Sequence, residues 1–359
     1  YVPYCYSAAI QIIVEYSLMR ALIAAILLMG ATAAASATNP SPETQLQTFE
    51  DAAAAISETM QNYHYDPSAL EDESYRAIEA RVAALAEQPQ SREDFVAGFN
   101  EIWRDGPFSH VDLGVAQSSA EDLSEYLDTL RVGGEGATLT WDGDIAILTV
   151  TTMMGLDTIE QIDAAFDEIA QRSATALIID LRENGGGAFA IRPLIRHLID
   201  EPLDAGMFTS QRWSSVHDDP PTRDDVLAVA PWQGWSIRAF WHDAQNDALV
   251  RVQLEPMAPI FEGPVYVLTS QRTASAAELA TDAMKASGRT LQIGERTAGQ
   301  MLSQKIYDIT QGLHLSLPIA DYFSLANGRI EGVGLSPDIE IEADAALELA
   351  LERAREVAE

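Results

Sequence analysis

One stretch decides the fold of this chain: VYVLTSQRTASAAELATDAMKASG, residues 265–288. Its first four residues, Val265 to Leu268, are β-branched, aromatic or aliphatic, which is typical of a buried strand. Apolar residues then recur at helical spacing until Gly288 supplies a stop signal. The pattern predicts that a strand gives way to a helix here, with the hydroxyl of Ser275 at the helix N-terminus.

The position of Ser275 has two interpretations. Unpaired backbone N–H groups and the positive end of the helix dipole gather at a helix N-terminus. An alkoxide or tetrahedral oxyanion formed at Ser275 would be stabilised there, as in acyl-transfer catalysis. An ordinary N-cap serine occupies the same position, because its hydroxyl accepts one of those N–H groups. This segment alone does not distinguish a nucleophile from a helix cap, so the distinction depends on other parts of the sequence.

The N-terminal residues have the pattern of a secretory signal peptide. Met19-Arg20 precedes an apolar run, Ala21 to Met29, that is too short to span a bilayer, and small residues follow as far as Ala37. We predict cleavage after Ala37, so that residues 1–37 are upstream sequence plus signal peptide. A membrane anchor is the alternative. Cleavage predicts a periplasmic or extracellular protein without stable membrane insertion.

Composition excludes several classes of function. Cys5 is the only cysteine and precedes the predicted cleavage point, so the exported protein has no disulfide, cysteine nucleophile or zinc–thiolate site. The formal net charge of −33 repels phosphate backbones and anionic membrane surfaces. We therefore expect no nucleic-acid partner, and we interpret the acidic surface as a source of solubility in a salty or extracellular setting.

Two different sequence patterns follow one another along the mature chain. Residues 38–106 carry apolar stripes at helical spacing and predict a small N-terminal bundle of about three helices. Residues 107–359 alternate strand-like and helical runs, which is the order of a mainly parallel α/β core. An aromatic segment at about 208–258 breaks this alternation, and we interpret it as an insertion whose tryptophans form a small core of their own. The predicted strands are 137–141, 145–150, 176–179, 265–268 and 291–293, and the predicted helices are 159–169, 190–199 and 276–286.

A second candidate site follows the predicted strand Ala176–Ile179, in the run DLRENGGG from Asp180 to Gly187. Glycines let backbone N–H groups turn inward and let a ligand approach closely, as an oxyanion hole requires. Gly185, Gly187 and Ala190 also fit the dinucleotide-binding pattern formally. Polar residues separate the strand from the glycines, and no later strand ends in a well-placed ribose-binding acid. Nucleotide binding is therefore the weaker alternative.

A serine nucleophile needs a base within hydrogen-bond reach, and the chain has six histidines. His110 lies where the helical region passes into the core, a position from which a loop can face the sheet edge. Position alone nevertheless favours a structural histidine. Lys285 and Lys305 are alternative bases, and Lys285 should lie about 15 Å along the helix from its start.

Four blocks complete the pattern: DLRENGGG (180–187), TASAAE (273–278), GERTAG (294–299) and GVGLSPDI (332–339). In this order they resemble the C-terminal processing (tail-specific) and tricorn-type serine peptidases. The resemblance implies a ClpP/crotonase-like α/β core with Ser275 as the nucleophile. It also implies that the oxyanion donors are the backbone N–H of Ala276 and that of Gly186 or Gly187.

Two departures favour the tricorn-type branch of that family. Gln300 stands where the processing branch has its general-base lysine, and a glutamine cannot accept a proton at neutral pH. The interval from His110 to Ile145 is too short for that branch's PDZ domain. By resemblance, His110 is the base, Ser109 is the serine that precedes it, and Glu331 is the supporting acid. An imidazole with an ordinary pKa near 6.5 suits proton transfer at neutral pH.

Taken together, the resemblance implies an exported serine endopeptidase that cleaves peptides or unfolded protein segments through an acyl-enzyme. That mechanism requires no metal and no organic cofactor, and the metal-binding spacing His-Glu-x-x-His does not occur in the sequence. The alternative is a non-catalytic protein that binds a peptide or an apolar ligand between bundle and core. The sequence leaves the oligomeric state unknown.

Overall fold

The computed structural model describes residues 46–134 and 136–358. The predicted signal peptide and its cleavage point lie outside these residues. Two six-stranded sheets and the helices packed on them make up the described part of the chain. None of the helices within it is long and apolar enough to cross a bilayer.

The helices and strands are numbered here in chain order. The helices are α1 (Glu50–Tyr63), a 3-10 helix (Ser68–Glu71), α2 (Glu73–Ala86), α3 (Arg92–Trp103), α4 (Ala120–Thr129), α5 (Leu156–Arg172), α6 (Ile191–Arg196), α7 (Gln211–Ser214), α8 (Arg223–Ala228), α9 (Ile237–Asn246), α10 (Ala276–Ala286) and α11 (Ala343–Ala358). The strands are β1 (Asp112–Val115), β2 (Ala137–Asp142), β3 (Ile145–Val150), β4 (Ala176–Asp180), β5 (Leu203–Ser210), β6 (Leu249–Leu254), β7 (Val265–Thr269), β8 (Thr290–Gly294), β9 (Ser303–Ile309), β10 (Leu313–Ser324), β11 (Gly328–Arg329) and β12 (Ile339–Glu340).

The N-terminal helices α1, α2 and α3 bury their apolar faces in a shared core. Within it, the rings of Phe49 and Phe95 stack with 4.5 Å between centroids. The same core contains Leu315 and Leu317 of β10, so the helices pack directly on the second sheet. Three helices match the predicted bundle, whereas its boundary as a domain, 38–106, stays a prediction.

The first sheet is mainly parallel and has the strand order β12-β8-β7-β4-β3-β2, in which only β2 is antiparallel to its neighbour. Every residue of β4 is buried. Leu177 and Ile179 face the core that contains α5 and α10, whereas Ala176 and Ile178 face the core that contains α11. A strand covered on both faces explains the continuous apolar run in the sequence.

This topology positions the candidate site. Strands β4 and β7 are parallel neighbours, with Asp180 paired to Leu268 at their carboxyl ends. The loops after β4 and β7 therefore leave the same edge of the sheet, and the loop after β8 joins them because β8 pairs with β7. Ligands of open α/β sheets bind outside this edge. Three of the four sequence blocks thus meet at one end of the sheet.

The second sheet corrects one interpretation of the sequence. It is antiparallel, in the order β1-β10-β5-β6, with β9 and β11 also paired to β10. Residues 208–258 supply β6 and the last three residues of β5. Trp241 lies in the main core, and Trp232 and Trp235 pack against that core. The prediction that the tryptophans form a core of their own is wrong for these three and holds only for Trp213, which joins a small separate cluster.

Candidate active site

Ser275 lies at the turn between β7 and α10, where the sequence predicts it. Its backbone has φ 55° and ψ −122°. Residues with a Cβ rarely adopt this region, and holding one there costs about 1–3 kcal/mol. A strained strand-to-helix turn of this kind exposes the nucleophile in many serine hydrolases. These angles differ from the β-region angles of an ordinary N-cap residue.

The glycine loop after β4 lies against this turn. A Cβ added to Gly186 would lie 2.7 Å from Ser275 Cβ and 2.8 Å from the carbonyl oxygen of Ala274, and the φ of Gly186 is +104°. Only glycine permits so close an approach. The N–H of Gly186 donates to Asn184 Oδ1 (2.9 Å), and the N–H of Ala274 donates to the Asn184 carbonyl (3.1 Å). Buried Asn184 therefore ties the glycine loop to the serine turn.

Two backbone N–H groups beside Ser275 are left unpaired. Among the residues that the structure describes, neither Gly187 N–H nor Ala276 N–H has a hydrogen-bond partner. Met153 binds the glycine loop on either side of Gly187. Its N–H donates to the Gly186 carbonyl (2.8 Å), and its carbonyl accepts from Ala188 N–H (3.1 Å). Since the Gly186 N–H is already bonded to Asn184, Gly187 and Ala276 remain as the free donors.

His110 lies on the loop before β1 and also has a left-handed backbone, with φ 63°. Its Nδ1 is hydrogen-bonded to Ser109 Oγ at 2.6 Å. Burial lowers the pKa of His110 below its ordinary value of 6.5, and the negative charge of Glu331 opposes that shift. The ring is therefore neutral at pH 7.

Glu331 is buried close enough to His110 for its charge to act on the imidazole. Its Oε2 accepts the N–H groups of Met301 (2.5 Å) and Leu302 (3.1 Å). These bonds fix the carboxylate without neutralising it. The structure thus brings Ser109, His110 and Glu331 together, as the sequence predicts for the base and its support.

A buried carboxylate that the sequence analysis did not single out joins the two halves of the site. Glu278, fully buried in α10, accepts the N–H of Ser275 (3.1 Å) and that of Gln300 (2.8 Å) through Oε2. Its Oε1 accepts the Thr297 hydroxyl (2.6 Å) and the N–H of Gly299 (2.8 Å). The spacing Ser-x-x-Glu, a capping-box signature, was the signal available in the sequence.

The loop 297–302 is hydrogen-bonded to both Glu278 and Glu331. Gln300 N–H is bonded to Glu278, which also holds Ser275, and the next residue, Met301, donates to Glu331. No hydrogen bond between His110 and Ser275 is formed among the described residues. Catalytic hydrogen bonds are often long before substrate binds, and this network connects Ser275 and Glu331 through one loop.

The two lysines considered as alternative bases have other partners. Lys285 Nζ donates to the carbonyl of Ser336 and pairs with Asp338, both at 2.9 Å. Lys305 Nζ, on β9, donates to Gln245 Oε1 at 2.5 Å, and burial lowers its pKa. Neither lysine contacts Ser275.

Comparison with known proteins assigns the chain to a family. The model of peptidase family S41 matches residues 144–341, more than half of the chain. The chain belongs to peptidase family S41. This segment runs from the start of β3 to the end of β12 and includes Ser275 and Glu331, whereas Ser109 and His110 precede it.

Sequence relatives in the family are processing proteases. The chain is 29% identical over 181 residues, 50% of its length, to a chloroplastic C-terminal processing peptidase of Tetradesmus obliquus. It is 32% identical over 183 residues, 51% of its length, to a carboxyl-terminal-processing protease of Synechocystis. These matches span only 32% and 35% of the two relatives' own lengths.

Solved structures show the same fold over more of the chain. A Parabacteroides merdae protein covers 86% of this chain and 97% of its own length at 16% identity, with a TM-score of 0.59. A photosystem II D1 C-terminal processing protease covers 84% of this chain and 95% of its own, also at 16% identity, with a TM-score of 0.51. The predicted fold class, an α/β core with an N-terminal helical bundle, is confirmed.

Proposed function

We propose that this protein is a serine endopeptidase that hydrolyses peptides or unfolded protein segments through an acyl-enzyme. One observation carries the proposal. The strained turn at Ser275 lies against the glycine loop at Gly186, and the N–H groups of Gly187 and Ala276 are unpaired among the described residues. Unpaired donors beside a nucleophile have a clear use in stabilising an oxyanion.

The site residues give each step a chemical role. With the imidazole proton on Nδ1 and donated to Ser109 Oγ, the Nε2 of His110 accepts the proton of Ser275 Oγ as that oxygen attacks the carbonyl carbon. The tetrahedral oxyanion accepts the N–H groups of Gly187 and Ala276. His110 then donates the proton to the departing amine, which leaves a Ser275 ester. In the second half of the reaction His110 takes a proton from a water molecule that attacks the ester. His110 then returns this proton to Ser275 Oγ as the carboxylic acid product leaves.

Glu331 has the role of a countercharge in this scheme. When His110 takes the proton it becomes an imidazolium in a desolvated site, which is costly unless a negative charge is near. Glu331 supplies that charge, and its bonds to Met301 and Leu302 keep it in place. Ser109 holds the ring orientation through Nδ1.

Covalent labelling tests the proposal. A fluorophosphonate probe reacts only with an activated serine, so we expect labelling of one residue, Ser275, as mapped by peptide mass spectrometry. The rate at which the protein hydrolyses an unfolded protein such as casein should fall in proportion to the fraction of Ser275 that is labelled. A protein that binds peptide without labelling or cleavage would support the alternative, a non-catalytic binding protein on the same scaffold.

We also propose that the protein is exported. Residues 19–37 carry the signal-peptide pattern, and the names of several relatives place them in the chloroplast. Intact mass of the protein recovered outside the cytoplasm checks this assignment. A species that retains residues 22–28 would contradict cleavage.

The pH dependence of the reaction reports on His110 and Glu331. Because the pKa of His110 is lowered from 6.5, the neutral base is fully present at pH 7, and kcat/KM should fall only below pH 6.5. In Glu331→Gln the opposing charge is lost, so the pKa of His110 falls further and the acid limb moves to lower pH. At the same time the plateau should fall by about 100-fold, because the imidazolium loses its countercharge.

Profiles of kcat/KM against pH for the wild type and Glu331→Gln measure both effects. Glu340→Gln, an exposed glutamate on β12, is the control and should leave the profile unchanged. An acid limb that stays in place or moves to higher pH in Glu331→Gln would show that this carboxylate does not act on His110.

A further inference from the structure

We infer that Glu278 is a positioning residue that holds the nucleophile turn and the acid of the proposed peptidase in register. The inference rests on the proposed function and adds a residue to it. Glu278 does not touch the reacting atoms. It acts on Ser275 through the backbone, and on Glu331 through the loop 297–302.

The environment of Glu278 is that of a carboxylate. All four of its partners are donors: the N–H groups of Ser275, Gly299 and Gln300, and the hydroxyl of Thr297. No lysine or arginine forms an ion pair with it in the described part of the chain. A buried charge without a cation is tolerable only when hydrogen bonds satisfy both oxygens, as they do here.

The four partners come from two parts of the site. Ser275 is the nucleophile, and Thr297 to Gln300 are the loop after β8. The Thr297 hydroxyl also accepts the N–H of Leu335 at 2.7 Å, which brings in the GVGLSPDI block. Three of the four sequence blocks, TASAAE, GERTAG and GVGLSPDI, are thus joined physically at a single carboxylate.

The link from Glu278 to Glu331 runs through two successive residues, Gln300 and Met301. Gln300 N–H is fixed by Glu278 at 2.8 Å, and the following N–H, that of Met301, is fixed by Glu331 at 2.5 Å. Only the Cα of Gln300 separates these two amide groups, so a displacement of Gln300 also shifts the N–H of Met301. Disturbing Glu278 therefore displaces the acid as well as the serine.

The substitution Glu278→Gln tests this role, since the amide keeps the size of the side chain but turns one acceptor oxygen into an NH2 donor. That NH2 would face two N–H groups, or an N–H and a hydroxyl, whichever way the amide is turned. A misplacement of the order of 1 Å at the nucleophile lowers kcat by about 100-fold. We expect this fall in kcat with little change in KM, because the peptide-binding surface is untouched.

Asp282→Asn is the matched control. Asp282 lies one turn later on α10, is equally buried, and accepts three hydrogen bonds, from Tyr322 (3.0 Å), Ser324 (2.7 Å) and Asn327 (2.7 Å). Its partners are outside the candidate site. Both variants should lower the melting temperature, but Asp282→Asn should keep kcat within about 3-fold of the wild type when corrected for the folded fraction.

Backbone hydrogen exchange gives a readout that does not depend on peptidase activity. In Glu278→Gln the amides of Ser275, Gly299 and Gln300 should exchange faster, and so should those of Met301 and Leu302, although the last two donate to Glu331. In Asp282→Asn these five amides should stay protected. Unchanged protection of Met301 and Leu302 in Glu278→Gln would overturn the inference.

The activity measurements and the hydrogen-exchange measurements test the proposed function and the positioning role of Glu278 separately. If the wild type neither cleaves nor reacts with a fluorophosphonate, the proposed function fails, and the exchange data still decide whether Glu278 couples the two segments. If the wild type is active and Glu278→Gln keeps its kcat, the positioning role is wrong. Should Glu278→Gln not fold, Glu278→Asp keeps the charge on a shorter arm, and it should show the same loss of kcat and of protection in weaker form.

Discussion

Replacing Ser275 by alanine is expected to lower kcat for peptide hydrolysis by about four orders of magnitude or more, as the loss of a nucleophile from a cooperative site does elsewhere. The reason is chemical, since no other described hydroxyl lies at the left-handed turn between β7 and α10 beside the free N–H groups of Gly187 and Ala276. Substrate binding should survive because only one oxygen is removed. The measurement is steady-state hydrolysis of an unfolded protein, together with fluorophosphonate labelling.

The control for Ser275→Ala is Ser287→Ala, which removes a serine hydroxyl at the other end of the same helix. Ser287 donates to the Met284 carbonyl at 2.6 Å and has no contact with the site. It should retain labelling and turnover. If Ser275→Ala kept its activity, another nucleophile would have to be responsible, and the proposed mechanism would be wrong.

Strain at Ser275 gives the same experiment a thermodynamic signature. Alanine keeps the Cβ and therefore the unfavourable φ of 55°, whereas glycine adopts this region readily. Ser275→Gly should therefore be more stable than Ser275→Ala, by about 1 kcal/mol, while both are inactive. Chemical denaturation of the two variants checks this order. Equal stabilities would show that the turn is not strained.

Much of the fold was predictable because the first sheet is buried on both faces. In β3 and α10 the predicted bounds agree with the structure, and the predicted strands in β2, β4, β7 and β8 differ from the observed ones by only a residue or two. Parallel strands leave continuous apolar runs in the sequence, and amphipathic helices leave a 3.6-residue period. Both signals are local, so they can be seen without knowing what packs against them.

The second sheet was not predictable in the same way. Its central strand, β10, pairs with β1, β5, β9 and β11, which are distant in sequence or differ in length. The partners of an antiparallel strand are set by tertiary contacts, and no local period announces them. For the same reason residues 208–258 read as an insertion, although Phe208 and Trp241 belong to the main core.

The candidate site, like the fold, has a part that the sequence predicts and a part that it does not. Ser275 and the glycine loop follow strands of the parallel sheet, so strand ends alone place them at one edge. The choice of Gly187 over Gly186 as oxyanion donor depends on a hydrogen bond to Asn184 that only the structure shows. The joining role of Glu278 depends on four partners, three of them in a loop about 20 residues away in sequence. The spacing of residues within a motif does not predict that these separate groups meet at one carboxylate.

Replacing His110 by alanine is the second experiment with a very large expected effect. Without a base, Ser275 keeps its proton at neutral pH, so kcat should fall by about four orders of magnitude. Lys305→Ala is the decisive comparison, because Lys305 is the lysine whose pKa burial lowers. Since Lys305 is bonded to Gln245, its loss should leave turnover close to the wild-type value.

His242→Ala is the histidine control, since His242 is exposed and pairs only with its neighbour Asp243. Turnover and labelling rates for the three variants at pH 7 separate the hypotheses. Loss in His110→Ala alone supports the Ser109–His110–Glu331 arrangement. Loss in Lys305→Ala with activity kept in His110→Ala would assign the base to β9, and Glu331 would then have no imidazolium to stabilise.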